Sequence, residues 1–219
     1  YILSASMLIT TSMLLIFVSQ DKNQRWHNMA SDLQVGLLGN PIEVVCRGPE
    51  AIQEQIYQNY GGEADRIFFQ IREGDAVRLL ALRAGLELAV ENPWGWNGSR
   101  HAFQQLIAQK CEQPTVKIAH THNGWLDTVL ALGWMGALLY LVLCLSYVHK
   151  GWASLSQHYE NKKWAVVLVA ITIFWMIRGF FDSVFRDHML EMQGFMLGFV
   201  STALYRGYPS PSDIKDHPR

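Results

Sequence analysis

The sequence predicts an all-α integral membrane protein with a large, mostly helical extramembrane segment. Half of the 219 residues are hydrophobic, yet the mean hydropathy is only +0.06, because the apolar residues are concentrated in four blocks. Apolar runs of about 20 residues are long enough to cross a bilayer as helices. One long polar stretch, 20–123, separates the first block from the second. The formal net charge of −1 gives no indication of nucleic-acid binding.

The four blocks are interpreted as membrane helices, and the charge of the short loops orients them. The loop at 149–163 carries Lys150, Lys162 and Lys163 against a single acid, and Lys-rich short loops stay in the cytoplasm. The predicted units are membrane helices at 1–19, 124–148, 164–181 and 189–205, outer segments at 20–123 and 182–188, a cytoplasmic loop at 149–163 and a cytoplasmic tail at 206–219. The chain opens at Tyr1 inside an apolar run, which favours the C-terminal part of a longer membrane protein.

Short helices and turns are predicted within the outer segment 20–123. Its strongest helix is 75–90, where Leu79, Leu82, Leu86 and Ala89 fall on one face and Asp75 is a suitable N-cap. The other elements are a helix at 25–38, a strand or extended segment at 42–46, a helix at 49–60 stopped by a Gly-Gly pair, an aromatic turn at 94–98 and a helix at 101–110.

Three cysteines are too few for a disulfide scaffold. Cys144 lies within a predicted membrane helix and is interpreted as a small core residue. Cys46 and Cys111 both fall in the outer segment and are able to pair if that segment faces an oxidising compartment. Because nothing in the sequence fixes their distance, we favour two unpaired thiols, and a disulfide stays open.

The chain is organised around His120-Thr121-His122-Asn123, which immediately precedes the second membrane helix. Two imidazoles at the mouth of a membrane helix suit chemistry on a lipid-linked substrate. On residue type alone, ordinary interfacial histidines without a catalytic role are the favoured interpretation. Gly133 and Gly136 follow within the helix, and glycines at this spacing let another helix approach closely.

Further ionisable residues are expected on the same outer face. They lie at the end of the third helix or in the short segment before the fourth, and they include Arg178, Asp182, Arg186, Asp187 and His188. Charges at this depth are functional candidates by default. For Asp127, Asp182 and Glu191, however, we favour structural ion pairs, with Arg178 or Arg186 as the partner of Asp127.

Other catalytic chemistries find little support in the sequence. His120 and His122 lack a Cys or Glu partner at zinc-type spacing, so no metal site is predicted. There is no G-x-S-x-G elbow and no phosphate-binding glycine loop. Arginines of the outer segment are available to bind a phosphate or diphosphate, although most of them are expected to be solvated: Arg47, Arg66, Arg72, Arg78, Arg83 and Arg100.

The order of these motifs resembles the O-antigen ligase and O-antigen polymerase superfamily. The similarity runs from Arg78 through Asn92-Pro93-Trp94-Gly95 to His120-Thr121-His122-Asn123 and the Gly133-Trp134-Met135-Gly136 stretch. The segment beginning at Arg186-Asp187-His188 is similar to the ligase-type members from beta-proteobacteria. The family's turn after the proline is rich in glycine, whereas here it contains Trp94 and Trp96.

The resemblance implies a multi-span inner-membrane glycosyltransferase of GT-C type with its active site facing the periplasm. It implies transfer of O-antigen glycan from undecaprenyl diphosphate to lipid A-core in lipopolysaccharide biosynthesis, with inversion and without metal or cofactor. His122 or His120 would be the general base, because imidazole titrates near neutral pH, and Arg78 would stabilise the departing diphosphate. The remaining substrate-binding candidates are Arg47, Asn123, Arg186, Asp187 and Trp96.

Several alternatives stay open at this stage. An O-antigen polymerase or a protein O-oligosaccharyltransferase would differ in the acceptor. A membrane transporter subunit belongs to another class, and a non-catalytic scaffold to a third. A transporter should carry ionisable residues near the bilayer midplane, whereas these predicted helices keep their charges at the outer ends.

Overall fold

The computed structural model describes residues 33–74, 76–155, 159–183 and 188–206. Within these ranges the chain is helical and contains no strand. The predicted membrane helix 1–19, the proposed N-cap Asp75 and the candidates Arg186 and Asp187 lie outside the described residues. The α-helices are α1 Pro41–Arg47, α2 Gln53–Tyr60, α3 Ala64–Arg72, α4 Ala76–Glu91, α5 Ala102–Lys110, α6 Gly124–Ser154, α7 Tyr159–Arg178 and α8 Met189–Arg206.

The prediction of a strand or extended segment at 42–46 is wrong, because these residues form helix α1. Asn40 caps the helix by accepting a hydrogen bond from the Glu43 N–H at 2.9 Å, and Pro41 stands at its first position, where proline is well tolerated. Val44 and Val45 are both buried. The β-branched residues at 44–45 therefore serve the core of a helical domain, and the cap outweighs their preference for strands.

Helices α1 to α5 pack into one helical domain around α4. The predicted helices at 49–60, 75–90 and 101–110 are confirmed, the first as a 3₁₀ turn Pro49–Ile52 followed by α2. Helix α3 had no counterpart in the predicted elements. Leu80, Ala84, Leu88 and Ala89 are among the buried residues of α4, whereas Leu86 is 47% exposed. The expected face is therefore only partly correct: Ala89 is buried and Leu82 packs against the core, while Leu86 is directed away from it.

Helix α6 contains a sharp break at Gly133, which we call the elbow. Gly133 has φ 75° and ψ 173°, a conformation essentially restricted to glycine. Trp125 and Tyr140 are 15 positions apart, which is about 22 Å along a straight helix, yet their ring centroids are 5.4 Å apart. The helix therefore folds back at Gly133, and its two parts are called the first arm (124–132) and the second arm (134–154).

The two arms of α6 belong to different cores. The first arm contributes Leu126, Val129 and Leu130 to the core of the helical domain. The second arm packs with α7, which in turn packs with α8. The Tyr140 hydroxyl of the second arm also donates to Gln193 Oε1 of α8 at 2.6 Å. Much of the surface of the second arm is apolar and exposed. The exposed apolar residues of this bundle include Met135, Leu138, Leu139, Val142, Leu143, Val166, Phe174, Phe195 and Phe199.

Helix α6 is long and apolar enough to cross a membrane, with a mean hydropathy of 2.2 over its most apolar window. Among the described residues no other helix meets the same test of length and composition. Helix α7 begins with Lys162 and Lys163 near its start and ends at Arg178, and α8 carries Glu191 in its first turn. The helical fold class is confirmed, and the multi-span bundle stays a prediction.

Candidate functional site

The loop 120–123 is held in place by a buried carboxylate at the start of α6. Asp127 is 7% exposed, and its Oδ1 accepts hydrogen bonds from the Thr121 N–H at 3.0 Å and the Thr121 hydroxyl at 2.8 Å. The expected ion pair between Asp127 and Arg178 or Arg186 is wrong for Arg178, which pairs with Asp182 at 3.1 Å. Asp127 thus orders the residue that stands between the two histidines.

Asn123 closes the same loop from the other side. Its Oδ1 accepts a hydrogen bond from the Leu126 N–H at 2.9 Å, which makes it the N-cap of α6. Its Nδ2 donates to the Phe180 carbonyl at 3.4 Å, and the Gly124 N–H donates to the Gly179 carbonyl at 2.6 Å. These contacts join the beginning of α6 to the end of α7.

The two histidines contact each other within this loop. Their ring centroids are 4.2 Å apart, and the backbone N–H of His122 donates to Nδ1 of His120 at 3.1 Å. His122 has φ 57°, which is uncommon for a residue other than glycine. A neutral His120 whose Nδ1 accepts this hydrogen bond carries its proton on Nε2. His120 is thus tied to the backbone of His122 through Nδ1, one of its two ring nitrogens.

Asp182 is a site residue that the sequence analysis assigned only to an ion pair. The ion pair with Arg178 is present, but ligating atoms of Asp182, His120 and His122 also lie within 4.8 Å of one another. Two imidazoles and a carboxylate are ligands that suit zinc, so these three residues could hold a metal. The sequence signal was the shared outer face, because 120–122 and 182 flank neighbouring helix ends.

Arg78 and His122 line one cavity of about 220 Å³, together with Leu79, Leu82, Thr121, Asn123, Phe180 and Phe181. Arg78 is exposed on α4. Among the arginines whose side chains the structure describes, it is the one without an ion-pair or hydrogen-bond partner. An unpaired guanidinium facing an imidazole across a small cavity is suited to bind an anion.

The other predicted arginine, Arg47, is not brought to this cavity. It pairs with Glu43 of the same helix at 2.8 Å and its side chain is 70% exposed. Arg83 is an exception to the expectation that most of these arginines are solvated, because its guanidinium donates to the carbonyls of Gly36 and Gly39 at 2.9 Å each. The turn after residue 35 leaves these carbonyls without helical partners, and Arg83 supplies the donor.

Trp96 lies at the elbow and is not among the residues that line the Arg78–His122 cavity. The aromatic turn that contains it is docked by its backbone against the elbow. The N–H groups of Trp96 and Gly98 donate to the Ala131 carbonyl at 3.0 and 2.9 Å, and the Trp134 N–H donates to the Pro93 carbonyl at 3.0 Å. The close approach expected at Gly133 is thus made by a turn, and the prediction of a neighbouring helix there was wrong.

His188 and Glu191 connect the start of α8 to the helical domain. His188 Nδ1 lies 3.4 Å from the Glu191 carboxylate, which also pairs with Arg100 at 3.0 Å. Structural ion pairs at Asp182 and Glu191 are therefore confirmed, but the arginine that pairs with Glu191 is Arg100, which the sequence analysis did not assign to it. The beginning of α8 is thereby joined to the helical domain.

A disulfide joins Cys46, in α1, to Cys111, which ends α5. Their Cα atoms are 5.7 Å apart, so the favoured interpretation of two unpaired thiols is wrong. The backbone explains the proximity, because Thr115 and Val116 donate N–H groups to the carbonyls of Cys46 and Val45. Cys144 is a free, buried cysteine, as predicted.

Comparisons of the chain with protein-family models, with curated proteins and with solved structures found no match.

Proposed function

We propose that the protein is a membrane glycosyltransferase that takes its glycan from a polyprenyl-diphosphate carrier, in the manner of an O-antigen ligase. The observation that carries the proposal is the cavity shared by His122 and the unpaired Arg78. A base for the acceptor hydroxyl and a cation for the leaving diphosphate are the two groups that this reaction needs.

The reaction is a single displacement. An acceptor hydroxyl oxygen attacks the anomeric carbon and forms the new glycosidic bond, while the bond from that carbon to the diphosphate oxygen breaks. His122 takes the hydroxyl proton, and the polyprenyl diphosphate leaves with the bonding electron pair. Arg78 stabilises its charge. Attack opposite to the leaving group inverts the anomeric centre.

His122 is assigned as the base and His120 as a positioning residue. The hydrogen bond from the His122 N–H to His120 Nδ1 engages the acceptor nitrogen of His120, as described above. The same bond supports the left-handed backbone at His122. His120 therefore holds the loop at His122, and His122 is the histidine that lines the cavity with Arg78.

Two features support placement of the site at the outer surface of a bacterial inner membrane. The second arm of α6 has 21 residues, about 31 Å, which matches a hydrocarbon thickness of about 30 Å, and its exposed side chains are largely apolar. The disulfide between Cys46 and Cys111 favours an oxidising compartment such as the periplasm for the helical domain.

Lipid A-core is the acceptor that we favour, with a growing glycan or a protein as the alternatives of an O-antigen polymerase or protein O-oligosaccharyltransferase. The three differ only in which hydroxyl approaches His122. The test is therefore complementation of a ligase-deficient cell by the full-length protein, with lipopolysaccharide examined for attached long glycan.

His122→Ala is expected to lower ligation by about 10²- to 10⁴-fold, as for loss of a general base, and Arg78→Ala by about 10²- to 10³-fold. Arg66→Ala is the matched control, because Arg66 is an arginine of the same domain that pairs with Glu63. Normal ligation by both His122→Ala and Arg78→Ala at normal protein level would refute the proposal.

A further inference from the structure

The elbow of α6 encloses an apolar pocket of about 380 Å³. Its walls come from both arms of α6 and from the exposed apolar face of α4. The lining includes Leu82, Leu86, Trp125, Val129, Leu138 and Leu141. The volume lies within the range of small-molecule sites, and the wall is formed by apolar side chains almost throughout.

This elbow pocket adjoins the cavity that contains Arg78 and His122. Leu82 and Asn123 line both, so an apolar compartment and a cationic one share a wall. A ligand that fills both has an anionic head joined directly to an apolar chain. Because Arg78 lies in only one of the two compartments, it determines which way such a ligand is oriented.

We propose that the elbow pocket holds the first isoprene units of the polyprenyl-diphosphate donor. This inference rests on the proposed function and identifies the part of the donor that the second pocket binds. In that donor the diphosphate is bonded directly to the prenyl chain. When Arg78 binds the diphosphate, the first isoprene units therefore lie at the wall that the two cavities share. The acyl chains of a lipid A-core acceptor are separated from the reacting sugar by the core saccharides, and they do not fit this adjacency.

The pocket also explains why α4 has an apolar face outside the core of the helical domain. Leu86 is 47% exposed, and Leu138 on the opposite wall is 51% exposed. Apolar side chains are stabilised when they are removed from water, and a prenyl chain between these two leucines would bury both. The hydrogen bond from Trp134 Nε1 to the Ala89 carbonyl at 3.2 Å keeps α4 and the second arm at the separation that forms the pocket.

A bulky side chain at Ala137 provides the kinetic test, because Ala137 lines the pocket and does not line the His122 cavity. Ala137→Phe in the full-length protein is expected to raise KM for the lipid-linked donor by about tenfold or more, in the range by which pockets discriminate small apolar groups, with little change in kcat. Leu139→Phe is the matched control on the same arm, since Leu139 is 66% exposed and outside the pocket. Equal KM values for the two variants would overturn the inference and leave the proposed function standing.

Photolabelling provides a readout that does not depend on transfer. The probe is a prenyl diphosphate that carries a benzophenone on its second isoprene unit, irradiated with the purified full-length protein in nanodiscs. Label is expected within 82–86 or 134–141, and excess undecaprenyl diphosphate should prevent it, whereas phosphatidic acid or inorganic pyrophosphate should not. Label at these peptides without any glycan transfer would support the pocket and count against the proposed function. Label elsewhere, or equal competition by phosphatidic acid, would refute the pocket.

Discussion

The elbow at Gly133 depends on the close approach of the turn at 93–98, and replacing this glycine by alanine tests that conclusion. An added Cβ at Gly133 would lie 2.5 Å from the carbonyl carbon of Trp94 and 2.7 Å from the oxygen of Pro93. Both are backbone atoms of the docked turn, so no side chain is able to rotate away. The φ of 75° adds a conformational penalty of about 1 to 3 kcal/mol for a residue other than glycine.

The turn must move to relieve these contacts, and three backbone hydrogen bonds are then lost or lengthened. They are donated by the N–H groups of Trp96, Gly98 and Trp134, and each contributes about 1 kcal/mol. With the conformational penalty, we expect Gly133→Ala to lower the free energy of unfolding by about 4 to 6 kcal/mol. This is a large part of the stability of a typical domain, about 5 to 15 kcal/mol.

The measurement is denaturant unfolding of the purified full-length protein in detergent, followed by near-UV circular dichroism. Gly194→Ala is the matched control, because Gly194 lies in helix α8 and a Cβ there meets nothing within 4 Å. Alanine at this position should be neutral or stabilise by up to about 1 kcal/mol. If Gly133→Ala unfolds within about 1 kcal/mol of the native protein, the interpretation of the elbow as a glycine-dependent contact is wrong.

Three further predictions concern the site and its support. His120→Asn should retain more glycan transfer than His120→Ala, because an Asn side chain accepts a hydrogen bond from the N–H two residues on and so keeps the loop at His122 in place. The measurement is kcat and KM for both variants. Equal losses of about 10²- to 10⁴-fold in the two variants would indicate that His120 is the base. Dialysis against EDTA should leave the transfer rate unchanged, whereas loss of activity that zinc restores would mean that His120, His122 and Asp182 bind a metal. Cys46→Ser should destabilise the helical domain by about 4 kcal/mol, since the bond closes a loop with a sequence separation of 65; an unchanged unfolding midpoint in the variant would show that this bond is absent or ineffective.

Much of the helical framework followed from local signals. Asn92-Pro93 ends α4 as predicted, because proline restricts the residue before it, and Gly61 follows α2 with a positive φ. The apolar run after His122 identified α6, and its composition does not depend on any partner. The sequence also singled out 120–123 as the candidate site, since two imidazoles beside a long apolar helix are visible in the sequence alone.

Other features depended on contacts between distant residues. The sequence suggested a straight helix through Gly133, but the carbonyls of Leu130 and Ala131 find donors in the turn at 96–98, and only this tertiary contact favours the elbow. The spacing of the leucines in α4 predicted an apolar face, but the spacing alone does not show whether such a face packs in the protein core or lines a pocket.

The sequence by itself determined most of the helical segments, where several of them end and which residue types are available for chemistry, but it did not identify α1 or α3 as helices. The tertiary structure decided that Arg78 and His122 share a cavity while Arg47 pairs elsewhere, that Cys46 meets Cys111, and that Asp127 holds Thr121. The physical reason is the range of the interactions involved. Caps, proline effects and helical periodicity act within a few residues, whereas a cavity or a disulfide joins residues separated by tens of positions, and their proximity depends on how the helices pack.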